Sequence, residues 1–436
     1  MERTLISETI KKIGQKVRVC GWVQIVRDQG AIKFLILRDR TGIIQTVSVK
    51  NIAMAKIISS LSLESVVEVD GRVKEEKQAP GGVEVDIEKI KILSSASPEL
   101  PIPVVEKGVG ETKLQKRLDW RWLDLRKPEN LLIFKVWTLM EQAFREYWIT
   151  NGYIEIHSPK LMNAASESGA ELFEVKYFDK KAYLAQSPQF YKQMAMASGF
   201  EKVFEAGPVF RANPSFTSRH DTEFTSYDIE ISFIESHQDV MKEEEKMLVF
   251  VLNEIKDKFG KEIEKVFGRK IIVPKIPFPQ LTMKEAKEIL RKMKVSSEGG
   301  GDLNSEEERK LVEFINKEKG HEFVWITEYP IEARPFYHMR LEDNSKLTKS
   351  FDLLWNGLEI TTGAQREHRY NVLKKQAKEK GLKTESIKFY LDFFKYGCPP
   401  HGGFGLGPTR MLMKIFNIEN VREVTFLYRG VNRLTP

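Results

Sequence analysis

From residue 15 to residue 93, apolar β-branched positions alternate with polar ones, the period-2 pattern of half-buried strands. The alternation predicts five strands: Val17–Val23, Lys33–Leu37, Ile43–Val49, Val66–Val73 and Val83–Leu93. Turn signals part them at Asp28-Gln29-Gly30, Asp39-Arg40-Thr41-Gly42 and Ala79-Pro80-Gly81-Gly82. Between the third and fourth strands, Asn51–Leu63 changes to helical spacing. Five strands with a helix after the third is the order of an OB-fold, and any other small barrel or sandwich fits the same pattern. Pro98, Pro101 and Pro103 then read as a linker.

Beyond the linker the periods are mixed. Leu131–Ile149 has helical spacing, and Tyr153–Ile156 reads as a strand running into Pro159. Strands are predicted at 183–186, 203–210, 226–234, 323–329, 334–340 and 349–362. Helices are predicted at 238–258, 283–293, 305–317 and 385–396, with another starting near Gly407 and a loop over Ser296–Ser305. Strands parted by long insertions, with no regular βαβ repeat, point to an α+β domain on a mixed, mainly antiparallel sheet.

Composition narrows the class. The 436 residues suggest about two to four domains. Two cysteines exclude a disulfide scaffold and any multi-cysteine metal site, and they suit a reducing compartment. No run has the length and apolarity of a membrane span, and the N-terminus has no apolar signal core, so a cytoplasmic protein without a membrane partner is expected. The excess of 69 Lys+Arg over 62 Asp+Glu is compatible with nucleic acid without requiring it.

Three stretches carry candidate chemistry. Gly402-Gly403-Phe404-Gly405-Leu406-Gly407 lacks the Lys-Ser/Thr of a P-loop and is followed by Arg410. It reads either as a phosphate cradle or as tight helix–strand packing. Phe210-Arg211-Ala212-Asn213, leading to Arg219-His220-Asp221 and Phe224, reads as a hairpin with a polar loop. Its arginines suit phosphates and its aromatic a base, although a solvated charged hairpin would look the same. Asp352 and Glu359 flank an Asn356-Gly357 turn. Paired carboxylates near phosphates are what Mg²⁺ needs, and surface acids on a plain hairpin are the alternative. No pattern supports a covalent nucleophile.

In chain order, RLDWRWLDLRKPE (117–129), GYIEIHSPKL (152–161), QSPQFYKQ (186–193), FRAN…RHDTEFTSYDIE (210–230), HGGFGLGPTR (401–410) and RLTP (433–436) resemble the signatures of a class II aminoacyl-tRNA synthetase of subclass IIb. Within it, they are similar to the archaeal-type aspartyl-tRNA synthetase family. The resemblance covers nearly the whole chain. It implies an OB-fold anticodon-binding domain at 1–98, a hinge at 99–130, and a class II catalytic domain at 131–436 with a small insertion around 260–320. It implies a homodimer with Tyr153–Leu161 at the interface. It also implies a two-step reaction: aspartate and ATP form aspartyl-adenylate, and tRNA(Asp) takes the aspartyl group. Catalysis of this kind rests on positioning and charge neutralisation.

The resemblance also assigns roles. Arg211, Glu359 and Arg410 are catalytic. Phe224 stacks on adenine, and Arg219, His220 and Arg410 hold the triphosphate. Ala212, Asn213, Asp221, Gly407, Pro408 and Thr409 complete the ATP site, and Asp352, Glu359 and Thr362 hold Mg²⁺. Glu167, Gln189 and Asp228 take the ammonium of aspartate. Lys192 and Arg366 grip its β-carboxylate, and Arg211 and Thr362 also face the amino acid. In the barrel, Phe34 and Gln45 match the readers of the middle anticodon base. Gln24 and Pro80 stand where tRNA(Asp) and tRNA(Asn) are told apart. Proline offers no donor there, which implies that tRNA(Asn) is charged as well. The rival readings are an asparaginyl-tRNA synthetase, whose family tends to lack the lysine matching Lys192, and a non-catalytic paralogue, which would have lost Arg211, Glu359 or Arg410.

Overall fold

The computed structural model describes residues 1–105, 112–164, 171–214, 217–295 and 301–436. Two compact units, Met1–Leu131 and Leu132–Pro436, make up the chain.

The first unit holds a closed barrel of β1 (Lys16–Gln29), β2 (Ile32–Asp39), β3 (Gly42–Val49), β4 (Val66–Glu75) and β5 (Val83–Ser94), with α1 (Ile52–Ser59) between β3 and β4. The strand order is β1-β2-β3-β5-β4, and only β3 and β5 run parallel. This is the OB arrangement anticipated by the alternation. The same alternation decides the filling: Val17, Val19 and Val23 of β1 meet Leu35, Leu37, Ile44, Val67, Val69, Val73, Val83 and Val85 inside. Asn51 caps α1 by accepting from the Met54 amide. Short helices α2 (Leu114–Asp119) and α3 (Arg121–Asp124) complete this unit.

The second unit is built on an eight-stranded sheet. Its strands are β6 (Ile154–Glu155), β10 (Lys202–Phe210), β11 (Glu223–Ser232), β12 (Gln280–Thr282), β13 (Phe323–Thr327), β14 (Ser350–Trp355), β15 (Leu358–Gln365) and β16 (His401–Leu406), in the order β12-β13-β14-β15-β16-β11-β10-β6. Every pairing is antiparallel except the two outermost, β12–β13 and β10–β6. A small sheet of β7 (Leu161–Met162), β8 (Glu174–Tyr177) and β9 (Lys180–Leu184) lies apart from it. The helices are α4 (Pro128–Thr150), α5 (Gln189–Ala197), α6 (His237–Phe267), α7 (Met283–Lys292), α8 (Ser305–Lys319), α9 (Tyr370–Glu379), α10 (Lys388–Phe393), α11 (Pro408–Phe416) and α12 (Val421–Val424).

The period of two divides the sheet into an apolar face and a polar face. Tyr227, Ile229 and Ile231 of β11, Ile360 of β15, and Phe404 and Leu406 of β16 join one core with Phe144 and Trp148 of α4 and Leu248 and Leu252 of α6. The intervening residues lie on the opposite face. There Asp352, Thr362, Gly405 and Asp228 form one row across β14, β15, β16 and β11. Glu230 and Gly403 belong to the next row.

One expectation needed correction. Residues 334–340 form no strand. Pro335 lacks a backbone donor, and the stretch makes only isolated bridges, His338 with Arg366 and Arg340 with Thr348. The glycine run, which the sequence left open between a phosphate cradle and tight packing, is a central strand, β16. A Cβ on Gly403 would lie 2.1 Å from Ile229 O and 2.4 Å from Glu230 Oε2, and one on Gly402 would lie 2.7 Å from Ala364 O. Glycine is required here for close approach of β15 and β11. Helices α5 and α9 had no forecast.

Gly403→Ala is expected to destabilise the fold by about 3 kcal/mol, because the methyl has no space and its neighbours are backbone. Denaturant unfolding measures this; an unchanged midpoint is the contrary result.

Candidate active site

The polar face of the sheet opens into a cavity of about 420 Å³. Its lining gathers Gln189, Lys192, Arg211, Asn213, Arg219, His220, Asp221, Phe224, Asp228, Glu359, Thr362, Arg366, Gly407, Thr409 and Arg410. Ala212, Pro408 and Asp352 do not line it, and Glu167 falls outside the described residues. Ser226, Glu171, Arg334, Tyr337 and His338 also line it, without having been singled out beforehand.

At one end, charges form a closed lattice. Lys192, on α5, is buried and donates to Asp228 Oδ1 at 2.9 Å and to Phe404 O at 3.0 Å. Glu230 Oε2 lies 3.5 Å from the same ammonium. Arg366, just after β15, donates to Glu230 Oε1 at 3.0 Å and to Gly403 O at 2.8 Å. Two cations and two carboxylates cancel, as burial demands. β16 makes this possible: its glycines leave room for the β11 carboxylates and bare the carbonyls that the cations reach. His338 completes the lattice. Burial and the nearby Arg366 hold its imidazole well below 6.5, so it is neutral and accepts from Arg366 NH1 at 3.1 Å.

The other end is the β10–β11 hairpin facing α11. Phe210 pairs with Glu223, and the described residues 211–214 and 217–222 lie outside the paired strands. The Arg211 guanidinium sits 5.7 Å from the centroid of the Phe224 ring. Arg410, in the first turn of α11, donates to Glu359 O at 2.8 Å and to Glu359 Oε1 at 3.2 Å. Burial acts to raise the Glu359 carboxyl, but Arg410 and Arg334 outweigh it and hold the group below its ordinary value. Arg219 donates to Glu308 Oε2 at 2.8 Å. Glu308 comes from α8, far away in sequence. Burial lowers His220, with Arg410 and Arg219 adding to the effect, and it pushes Asp221 up to about 7. Burial pushes the Cys398 thiol up to about 12, away from the thiolate form that a nucleophile needs.

This arrangement sets an arginine-rich end with an aromatic ring, suited to anions, next to a buried lattice of paired charges. The model of class II tRNA synthetases (D, K and N) matches residues 113–429, and that of the OB-fold nucleic acid binding domain matches residues 17–93. The chain belongs to the class II tRNA synthetases. An aspartate--tRNA(Asp/Asn) ligase of Aeropyrum pernix is 45% identical over 441 residues, covering 99% of this chain and 98% of that protein. An aspartate--tRNA(Asp) ligase of Pyrococcus abyssi is 44% identical over 426 residues, 97% of each. The crystal structure of asparaginyl-tRNA synthetase from Pyrococcus horikoshii complexed with asparaginyl-adenylate aligns over 100% of both chains, with a TM-score of 0.93 and 35% identity. As a class II synthetase, the enzyme uses ATP as a substrate.

Asp352, Glu359 and Thr362, the residues that the resemblance assigned to Mg²⁺, bring hard oxygen atoms together. Arg334 takes Asp352 Oδ2 at 2.5 Å, and Asp352 Oδ1 is buried with no hydrogen-bond partner. Burial pushes the Asp352 carboxyl up to about 6, against the pull of Arg334 and helped by the charge of Glu359. The Thr362 hydroxyl donates to Glu359 Oε1 at 3.0 Å. An orphaned carboxylate oxygen beside a second carboxylate and a hydroxyl is a hard-oxygen donor set. Among the described residues, no group of three or more His, Cys, Asp or Glu could hold a metal ion.

The four barrel positions occupy the first unit. Phe34 is half-buried and is no part of the barrel core, where Leu35 and Leu37 sit; by alternation it lies on the outer face. Gln45 pairs with Ile36 across β2–β3, and its Nε2 donates to Glu84 Oε2 at 2.7 Å. Gln24 lies at an irregularity in β1, between Val23 and Ile25. Pro80 starts a tight turn in which Gly81 and Gly82 take φ of +77° and +75°. Among the described residues of the whole chain, no helix is long and apolar enough to cross a membrane.

Glu308 supplies a test of the anion end. Burial pushes its carboxyl up to about 7, although Arg219 pulls it down. The folded state thus keeps a proton that the unfolded chain, near 4.5, has released. The group's contribution to stability is greatest below 4.5 and is lost as pH climbs through 7. Glu308→Gln removes this titration. Between about pH 5 and pH 8 the native chain is expected to lose up to about 3 kcal/mol more stability than E308Q in denaturant unfolding. Equal losses would contradict the assignment.

Proposed function

We propose that the synthetase joins L-aspartate to tRNA(Asp), and also to tRNA(Asn), through an aspartyl-adenylate. The observation that carries the amino-acid choice is the buried lattice of Lys192, Arg366, Asp228 and Glu230. Its charges cancel before substrate arrives. The substrate ammonium then joins Asp228, which leaves Lys192 and Arg366 a surplus of positive charge for a β-carboxylate. An amide would leave that surplus buried and unmatched, a costly error. The relatives from Aeropyrum pernix and Pyrococcus abyssi both carry an aspartate ligase name, which agrees. The asparaginyl reading and the non-catalytic reading are both less well supported, since Lys192, Arg211, Glu359 and Arg410 all line the cavity.

In this reading Arg211 meets the α-phosphate and the substrate carboxylate, and Phe224 stacks on adenine. Arg219, His220 and Arg410 hold the outer phosphates, bordered by Asn213, Asp221, Gly407 and Thr409. Attack by the aspartate carboxylate needs no protein nucleophile; catalysis consists of alignment and of matching the charge that builds on phosphorus. Mg²⁺ would be held by Asp352 and Glu359, with Thr362 orienting Glu359, and bound there it would neutralise phosphate charge. The barrel reads the anticodon, with Phe34 stacking and Gln45 on a base edge. Pro80 has no side-chain donor with which to prefer one anticodon over the other. The enzyme works in the cytoplasm, where these substrates meet.

Two outcomes test this reading together. Pyrophosphate exchange into ATP is expected to depend on aspartate and not on asparagine, and a tRNA(Asn) transcript is expected to accept aspartate beside tRNA(Asp). Exchange driven by asparagine sinks the amino-acid choice. Charging of tRNA(Asp) alone sinks only the dual specificity.

A homodimer through residues 153–161 is part of the same reading. Tyr153 is buried, but Ile154 and Leu161 are each 48% exposed, and β6 forms an edge of the large sheet. An apolar, unpaired edge invites a two-fold partner. Light scattering is expected to give twice the 50.4 kDa chain mass. A monomer at micromolar concentration contradicts it.

A further inference from the structure

Beside the amino-acid end of the cavity runs a buried chain of hydrogen bonds whose direction is fixed at every link. It starts at a backbone carbonyl. Pro399 O can only accept, and it lies 2.9 Å from His401 Nδ1, so that nitrogen carries a proton. Burial pushes the His401 imidazole down to about 4, so the ring is neutral and Nε2 is a bare acceptor. Gln193 Nε2 is 3.0 Å away and must donate to it. This turns the Gln193 carbonyl the opposite way. There, Gln193 Oε1 accepts from the Tyr390 hydroxyl at 2.8 Å and from Gln189 Nε2 at 2.9 Å. His401, Gln193 and Tyr390 are all fully buried, so water does not compete for these bonds.

The chain ends at the cavity. Gln189 lies one helical turn before Gln193 on α5 and lines the cavity, whereas Gln193 does not. Its NH₂ is committed to Gln193, which leaves its carbonyl oxygen turned away from Gln193. We infer that Gln193, His401 and Tyr390 are positioning residues for substrate choice: they lock the Gln189 amide so that it offers an acceptor, never a donor, to the amino-acid ammonium. The inference rests on the aspartate reading above, in which Gln189 faces that ammonium. A free amide flips at little cost, and a flipped Gln189 would set its NH₂ against a cation.

The test compares aspartate with succinate, which keeps both carboxylates and lacks the ammonium. In pyrophosphate exchange, His401→Phe is expected to raise the aspartate KM about tenfold, the scale of one misdirected hydrogen bond. The kcat, the KM for ATP and inhibition by succinate should stay unchanged. His401→Gln places a carbonyl acceptor near the former Nε2 and is expected to restore most of the aspartate affinity. Tyr390→Phe removes one hydroxyl, is expected to raise the aspartate KM about threefold, and decides the question if H401F does not fold. An unchanged aspartate KM in H401F or Y390F overturns the inference. Equal loss of aspartate and succinate binding, or H401Q as impaired as H401F, overturns it too. Absence of aspartate-dependent exchange in the unaltered enzyme overturns the substrate reading, and this inference with it.

Discussion

The amino-acid end depends on the absence of side chains at two positions of one strand, Gly403 and Gly405. β16 lies between β15 and β11, and a methyl on Gly403 would fall 2.1 Å from a neighbouring carbonyl. Where other strands project side chains beneath the cavity, β16 presents backbone at Gly403 and Gly405. The space admits the carboxylates of Asp228 and Glu230, and the bared carbonyls of Gly403 and Phe404 accept from Arg366 and Lys192. A strand of ordinary residues would fill this volume and leave the two cations without partners.

From that constraint follows an electrostatic rule. Deeply buried charges in this site come with partners: Lys192 with Asp228, Arg366 with Glu230, Arg334 with Asp352. Where pairing is weaker, burial wins and the proton is retained, as at Asp221. The groups are thereby held in place before substrate arrives, so binding needs little rearrangement. Precision of this kind comes from strands and helices more than from loops. The carboxylates ride on β11, Lys192 on α5 and Arg410 on α11.

The sequence showed some of this plainly. The five strands were legible because they keep a period of two over residues 15–93, although the pattern alone does not part an OB barrel from another small barrel or sandwich. The Arg211–Phe224 hairpin was legible because two apolar runs bracket a polar loop. The glycine run was ambiguous, because a residue without a side chain leaves no trace of whether a phosphate or a neighbouring strand comes close. Residues 334–340 carry strand-like composition, yet Pro335 and the pull of Asp352 on Arg334 keep them irregular. Glu230 could have been found, since it shares the period of Asp228 in SYDIEIS. Glu308 could not: its role comes from Arg219, 89 residues away, and no local pattern encodes that distance. The hairpin carboxylates were read as a pair, but only the structure shows that Arg334 already holds one oxygen of Asp352.

The charge lattice has a consequence for the ionic environment. Lys192 and Glu230 are almost wholly removed from solvent, and the four groups sum to zero. Mobile ions therefore find little net attraction there, and screening over about 8 Å at physiological salt acts on little. The opposite end is more open and rich in arginine. Rising ionic strength should thus loosen the grip on phosphates while leaving the grip on the amino acid almost untouched, so that one cavity holds two ligands with unequal sensitivity to the surrounding electrolyte.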